Sequence, residues 1–369
     1  VSGGPLAIAL AALRLEPAGG REMQCLALAA ELMSRGHAVT IVSTTPPTRL
    51  PPGLNAMLIR RRGLTNHGRL AAFARDAAAV VRGRFDRAVV FHLVPGFDVI
   101  FAVDPLRRTR SWRALSPRHR TFAALEAAAL GPGSRSRVLT LTSAQAASFQ
   151  ALRGLTPDRA FVLPPAVDPG RIDPTLAAAG MRPAPPPERF PTWLWVAVQP
   201  KTKGLDRVVA ALAGQPMARL LTAGLPKGDP KAWPILQAAQ RSGVAERIEW
   251  RGYLGNEALK HAMAQADLLV HPARADLTGN VIVEALANGL PVVASAACGF
   301  AEHVERSGGG LVVAEPFRQA DLENALAAAS PAACAAWSAK ALAYARQTDL
   351  FRGLPRAADL IENYVSPRP

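Results

Sequence analysis

Cysteine is scarce: Cys25, Cys298 and Cys334 are the only three in 369 residues. They are scattered and odd in number. Neither a disulfide framework nor a cysteine metal cluster is expected, and a reducing cytoplasm fits best. Long apolar runs are missing too. The most apolar stretch, Val89 to Val103, is broken by His92, Pro95-Gly96 and Asp98, so no membrane-spanning helix is expected. The first residues lack a basic segment followed by an apolar one and a cleavage site, which predicts no secretory leader. Lysine is absent from residues 1–165, where 22 arginines face nine acidic residues for a net charge of +13. The remainder, with 21 basic and 19 acidic residues, carries only +2. A coding bias toward arginine explains Arg over Lys but not this asymmetry. The first half is therefore expected to meet something anionic: nucleic acid, an anionic membrane face or a phosphorylated acceptor.

What is present is an α/β pattern. With 49% hydrophobic residues the chain is not disordered, and its length suits two domains with proper cores. Pro5 to Leu13 reads as a strand, followed by Gly19-Gly20, a helix over about 21–35 and a strand at Val39 to Ser43. The two glycines let a ligand approach a helix start, or simply make a tight turn. The spacing is not G-x-G-x-x-G, so a nicotinamide cofactor is not supported. A short strand is expected over Met57 to Arg60 and a helix over 70–81, with Asn66 and His67 at its start. That is a ligand position if the order is βα, and Asn66 could equally be only a cap. Further strands are expected at Arg87 to His92, Val138 to Thr142 and Phe161 to Pro165. Asp98, beside the apolar run 99–103, needs a partner if buried, and could be structural or could act near a reaction centre. Six arginines lie between Asp104 and Glu126 without an acid among them: Arg107, Arg108, Arg110, Arg113, Arg118 and Arg120. With Trp112 and Phe122 interleaved, they suit an anionic bilayer, a nucleic acid, or a plain solvated face.

Asp168 to Phe190 is rich in Pro and Ala and reads as an interdomain connector. A second series starts at Trp193 to Val198, and Lys201-Thr202-Lys203-Gly204 follows that strand, where lysines can bind phosphate. Strands are expected at Arg219 to Ala223, Arg247 to Trp250 and Asp267 to His271. The stretch from Asp276 to Gly299 reads as loop, helix and buried strand. Asp276 and Glu284 bracket the helix start, and Thr278-Gly279-Asn280 offer free N–H groups between them. An ordinary capped helix explains the same residues.

Taken in order, Lys203 to Arg207, Ala266 to Pro272, the Asp276-x7-Glu284 pair, Glu284 to Val293, Cys298-Gly299, Glu302-His303-Val304 and Gly308 to Val313 resemble the retaining GT-B glycosyltransferases of family four. Thr65 to Arg69, Pro95 to Val99, Arg118 to Ala124, Val162 to Pro165 and Ala314 to Phe317 are similar to the lipopolysaccharide core glucosyltransferase I family. The resemblance implies two Rossmann-like domains facing each other across a cleft. Their expected bounds are 1–167, a linker at 168–190, 191–345, and a helix over 346–369 that returns to the first domain. It implies transfer of glucose from UDP-glucose to an inner-core heptose, with retention, at the cytoplasmic face of the inner membrane. It also implies that no metal is needed, which the absence of Asp-x-Asp fits, and that nucleic acid is not a partner. By position, Lys203, with Lys201 beside it, would neutralise the departing diphosphate, helped by Thr278, Gly279 and Asn280. Glu284 would hold the ribose and Asp276 the donor sugar. Gly19 and Gly20 would let the donor approach. Asn66, His67 and Asp98 would line the acceptor side, with Asp98 a candidate base. Arg107 to Phe122 matches the family's membrane-contact region. Two departures stand out: Asp276 replaces the family's Glu, and Thr202 replaces an Arg. Related transferases using GDP- or ADP-linked sugars for capsule or exopolysaccharide, and a non-catalytic basic protein on anionic lipid or nucleic acid, remain alternatives.

Overall fold

The computed structural model describes residues 4–15, 20–46, 50–106, 116–180, 182 and 191–364. The chain forms two compact units, Val1–Pro164 with Arg352–Pro369, and Pro165–Phe351. Among the described residues no helix is long and apolar enough to cross a membrane.

The first unit runs β1 (Ala7–Ala11), α1 (Gly20–Ser34), β2 (Ala38–Ser43), β3 (Asn55–Leu58), α2 (Asn66–Val81), β4 (Arg87–Val90), β5 (Val99–Ala102), α3 (Pro117–Leu130), β6 (Arg137–Thr140), α4 (Ser143–Arg153) and β7 (Ala160–Val162). Its seven strands pair in parallel in the order β3-β2-β1-β4-β5-β6-β7. The order reverses between β1 and β4, which creates a crevice at their C-terminal ends, the usual ligand position in such sheets. Continuous apolar runs in the central strands reflect burial on both faces. Ile8, Leu10, Val89, Phe91 and Phe101 face one core, and Ala9, Val42, Val90 and Ile100 the other.

The second unit continues with α5 (Pro174–Ala179), β8 (Thr192–Val196), α6 (Leu205–Ala213), β9 (Arg219–Ala223), α7 (Trp233–Arg241), β10 (Ile248–Trp250), α8 (Asn256–Gln265), β11 (Leu268–His271), α9 (Asn280–Ala287), β12 (Val292–Ser295), α10 (Ala301–Ser307), β13 (Gly310–Val313), α11 (Gln319–Ala327) and α12 (Pro331–Gln347). Its parallel order is β10-β9-β8-β11-β12-β13, with the reversal between β8 and β11.

Two expected boundaries change. The linker predicted at 168–190 is, over its described residues, part of the second unit, because polar groups there find partners on α9 and just beyond it. The Asp173 N–H donates to Asn288 Oδ1 at 2.9 Å, and Arg171 pairs with Glu284 at 2.8 Å. The chain changes unit at Pro164–Pro165 and again at Phe351–Arg352, not at 346. The last helix, α13 (Gly353–Glu362), then packs on α1 in the first unit. Ala357, Leu360 and Ile361 join the core of β1 and β4, while Arg35 reaches Asp359 at 2.8 Å and Glu362 at 3.2 Å. Arg137 donates to the carbonyls of Leu360 and Asn363, filling acceptors that a helix C-terminus leaves open.

Candidate functional site

The reversal in the second unit gathers the most chemistry. Lys203 lies in the turn after β8, and β11 ends at His271, so both reach the C-terminal edge of the sheet. Gly204 caps α6 at φ 74°, and its backbone presses against the Pro272 carbonyl, where any Cβ would collide. That close approach brings Lys203 beside the loop after β11. Trp195 Nε1 donates to the Lys203 carbonyl at 3.0 Å and fixes the turn from below. Arg274 clamps the two loops together: it donates to the Lys201 carbonyl at 2.6 Å and grips both oxygens of Asp206 at 2.8 and 2.7 Å. Arg274 therefore puts a guanidinium next to Thr202, the position where the family resemblance leads one to expect an arginine. Its role was hidden from the sequence because its partners are 68 or more residues away. Lys201 itself is exposed.

One oxygen of Asp276, Oδ2, accepts from Lys203 Nζ at 2.8 Å and from His271 Nε2 at 2.9 Å. Burial raises the Asp276 carboxyl, but the His271 hydrogen bond and the His271 and Lys203 charges outweigh it and lower it to about 2. The Nδ1 of His271 is buried and has no partner among the described residues. Gly279 caps α9 at φ 81° with no side-chain bond, so the first turn of that helix keeps N–H groups for a ligand. Asp276, Thr278 and α9 are held to the following strand's loop through Asp276 O to Gly299 N (3.0 Å) and Thr278 O to Phe300 N (2.7 Å). A lysine, a helix N-terminus and a neighbouring carboxylate, all at a sheet crevice, can hold a diphosphate and a hydroxyl-bearing group. Glu284 is buried within α9 and accepts from Arg171 Nη1 at 2.8 Å. Burial pushes its carboxyl up, against the Arg171 charge and hydrogen bond. Arg171 also donates to Asn256 at 3.0 Å, so this pair is part of a network that the sequence reading assigned to a linker.

In the first unit, Asp98 is a correction. It precedes β5, at the N-terminal edge of the sheet, opposite the crevice. Its Oδ2 accepts from the Ala88 N–H at 2.8 Å, which makes it a backbone cap between β4 and β5 and not a base. Burial raises its carboxyl, partly offset by that bond and by Arg87. The acid at the crevice edge is Asp104, two residues beyond β5, which the sequence reading passed over. Asp104 pairs with Arg21 at 2.6 Å and lies 3.7 Å from His92 Nδ1. His92 Nε2 accepts from the Leu13 N–H at 3.0 Å, so its proton sits on Nδ1, toward Asp104. Burial raises Asp104, but the His92 bond and the Arg21 charge win and lower it. Asn66 and His67 open α2 as expected, but the cap is Thr65, which accepts from Gly68 N. Gly20 begins α1, and Gly19 lies outside the described residues. So do Arg107, Arg108, Arg110, Trp112 and Arg113. Arg118 and Arg120 are exposed on α3. Phe122 is another correction: it is only 6% exposed, on the buried face with Glu126, Ala129 and Leu130, and cannot touch a membrane.

The comparisons with known proteins agree with this architecture. The model described as Glycosyltransferase Family 4 matches residues 18–171, and that described as Glycosyl transferases group 1 matches residues 181–332. The chain is 31% identical over 360 residues to the lipopolysaccharide glucosyltransferase WaaG of Escherichia coli strain K12, covering 94% of this chain and 96% of that protein. It is 28% identical to a D-inositol 3-phosphate glycosyltransferase of Mycobacterium marinum, over 80% of this chain and 70% of that one. The crystal structure of WaaG matches with a TM-score of 0.83 at 29% identity, covering 96% of this chain and all of that one. Anabaena HepE, solved with UDP and glucose, shares the fold at a TM-score of 0.69 and 19% identity, over 97% of this chain and all of that one.

Proposed function

Since this chain belongs to the glycosyltransferase family of lipopolysaccharide glucosyltransferase WaaG and is itself a glycosyltransferase of lipopolysaccharide core synthesis, we propose that it moves glucose from UDP-glucose to an inner-core heptose, with retention and without a metal. The observation that carries the donor half is the Lys203–Asp276 contact of 2.8 Å beside the uncapped start of α9. Breaking the anomeric C–O bond puts negative charge on the leaving diphosphate. Lys203 and the N–H groups of Thr278 to Asn280 would stabilise that charge, which develops most in the transition state. Glu284, held by Arg171, would accept from ribose hydroxyls. Asp276 would accept from a donor-sugar hydroxyl through the oxygen not used by Lys203 and His271. The leaving phosphate itself would take the acceptor proton. The arginine surplus of the first unit supports work at an anionic surface on the inner face of the inner membrane, with exposed Arg118 and Arg120 among the contacts.

A second reading keeps the fold and changes the donor. Asp276 is one methylene shorter than Glu and has one oxygen already occupied, which favours a different hexose or nucleotide. Thermal shift with UDP, GDP and ADP at equal concentration and without metal separates the two. A selective UDP shift, lost in Lys203→Ala, is expected. A selective GDP or ADP shift would overturn the donor, and near-normal turnover by Lys203→Ala would overturn the phosphate assignment.

A further inference from the structure

His271 is buried at the C-terminal end of β11, a strand paired on one side with β8 and on the other with β12. Its Nε2 meets Asp276 Oδ2 at 2.9 Å, and its Nδ1 is buried with no partner among the described residues. Asp276 is held ionised and can only accept, so Nε2 carries the hydrogen. Among the described residues that carboxylate is the ring's one hydrogen-bond partner. A buried nitrogen left bare costs stability, and an apolar side chain would fill the same place on β11 without that cost. Leu269, two residues back on the same face of the strand, is such a side chain. A histidine at 271 is therefore accounted for by the Asp276 bond and not by the packing of the core.

Lys203 and His271 share Oδ2 but are not equivalent. Lys203 stands in a turn on a flexible four-carbon stem, and its Nζ also lies 3.4 Å from the Ala275 carbonyl. Each of its protons given to a leaving diphosphate is withdrawn from Asp276. The imidazole is a rigid ring on a strand in the middle of the sheet, with nothing else to bind. The Asp276 backbone is fixed separately. Its N–H donates to the Ala297 carbonyl at 3.2 Å, and its carbonyl accepts from the Gly299 N–H at 3.0 Å. The residue is thus held at its backbone and at Oδ2, which sets where Oδ1 points.

We propose that His271 is a positioning residue: it holds Asp276 Oδ2 so that Oδ1 stays aimed at the donor sugar while Lys203 serves the diphosphate. This role rests on the donor-sugar contact assigned to Asp276 above, whereas the hydrogen bond itself does not. His271 takes no proton from the reacting groups, because Nε2 is engaged and Nδ1 is sealed from solvent.

Transfer kinetics on a set of variants test this, with deacylated core oligosaccharide as the acceptor. The donor is UDP-glucose, or the glucose conjugate of whichever diphosphate gives the thermal shift. Glutamine can place an amide N–H about where Nε2 stands, whereas asparagine, one methylene shorter, cannot. His271→Asn should lower kcat/KM for the sugar nucleotide roughly 10- to 100-fold, the size of one hydrogen bond to a charged group, and His271→Gln should recover most of it. The thermal shift with the diphosphate alone should persist in both variants, since Lys203 and α9 hold it, and that shift also shows that both fold. Adding His271→Asn to Asp276→Ala should change kcat/KM by less than about twofold, because a residue acting through Asp276 has nothing to position once that side chain is gone. Losses that multiply in the double variant, equal activity of His271→Asn and His271→Gln, or loss of the diphosphate shift in His271→Asn each overturn the positioning role. Wild-type kcat/KM in Asp276→Ala would instead remove the donor-sugar contact of Asp276, and a wild type that turns over no sugar nucleotide would remove the donor reading. Either result takes the role of His271 with it.

Discussion

Removing Lys203 and Asp276 singly and together tests whether their contact is shielded enough to matter. The Nζ and Oδ2 atoms are 2.8 Å apart, and the side chains are 21% and 13% exposed. At that distance the attraction is about 1.5 kcal/mol in water and about 6 kcal/mol at an effective dielectric of about 20. A second route gives a value inside that range. Holding the Asp276 carboxyl at about 2 instead of the ordinary 3.8 is worth about 2 kcal/mol, net of its burial. His271 shares that effect, so a coupling of about 1–2 kcal/mol is expected between Lys203→Met and Asp276→Asn at pH 7. Urea unfolding of the wild type, the two single variants and the double variant yields it. A coupling below about 0.5 kcal/mol, typical of exposed pairs, would refute the reasoning. The pH dependence follows the same chemistry. The folded carboxyl lies below its unfolded value, so the unfolded state binds more protons in acid. Its stabilisation is complete above about pH 4–5 and is lost as pH falls through about 2. Asp276→Asn should flatten that part of the acid profile relative to wild type. In turnover, Lys203→Met should lower kcat about 10²- to 10³-fold, the usual cost of losing one preorganised donor to a developing anion.

Asp98→Ala should cost about 1–3 kcal/mol in urea, because the Ala88 N–H loses its acceptor, while kcat stays unchanged. A large kcat loss with normal stability would return Asp98 to the chemistry. Gly204→Ala should cost at least about 1–3 kcal/mol for its φ of 74°, and more because a Cβ meets the Pro272 carbonyl. The displaced turn should also weaken UDP binding by thermal shift. Ile361→Ala, at a site with no exposure, should lower stability by about 2–5 kcal/mol, read from the denaturation midpoint.

Periodic elements were legible in the sequence because burial writes itself into local pattern. The stretch from Asp276 to Gly299, which reads as loop, helix and buried strand, contains α9 and β12 in that order. Lys203, Asp276 and Glu284 were legible as a set only through the family resemblance, and the structure brings the first two into contact. What local pattern cannot carry is an interaction between distant residues. Arg274 with Asp206, and Arg171 with Glu284, join residues 68 and 113 apart. Asp98 and Asp104 show a different limit. Both flank the same short strand, and only the strand's direction decides which of them lies at the crevice. Phe122 was misplaced because a count of aromatics among arginines ignores helical phase. Its neighbours at 126, 129 and 130 share its inward side.

The helix α13 also sets a constraint on the order of events during synthesis. It supplies Ala357, Leu360 and Ile361 to the core that β1 and β4 begin, and acids for Arg35. The ribosome makes it only after the entire second unit. Until then, the nascent first unit carries an open apolar face and an arginine without two of its carboxylate partners. A fragment ending at residue 164 has the same defect permanently. The first unit should therefore be the later of the two to become protease-resistant, although it is the first to be translated.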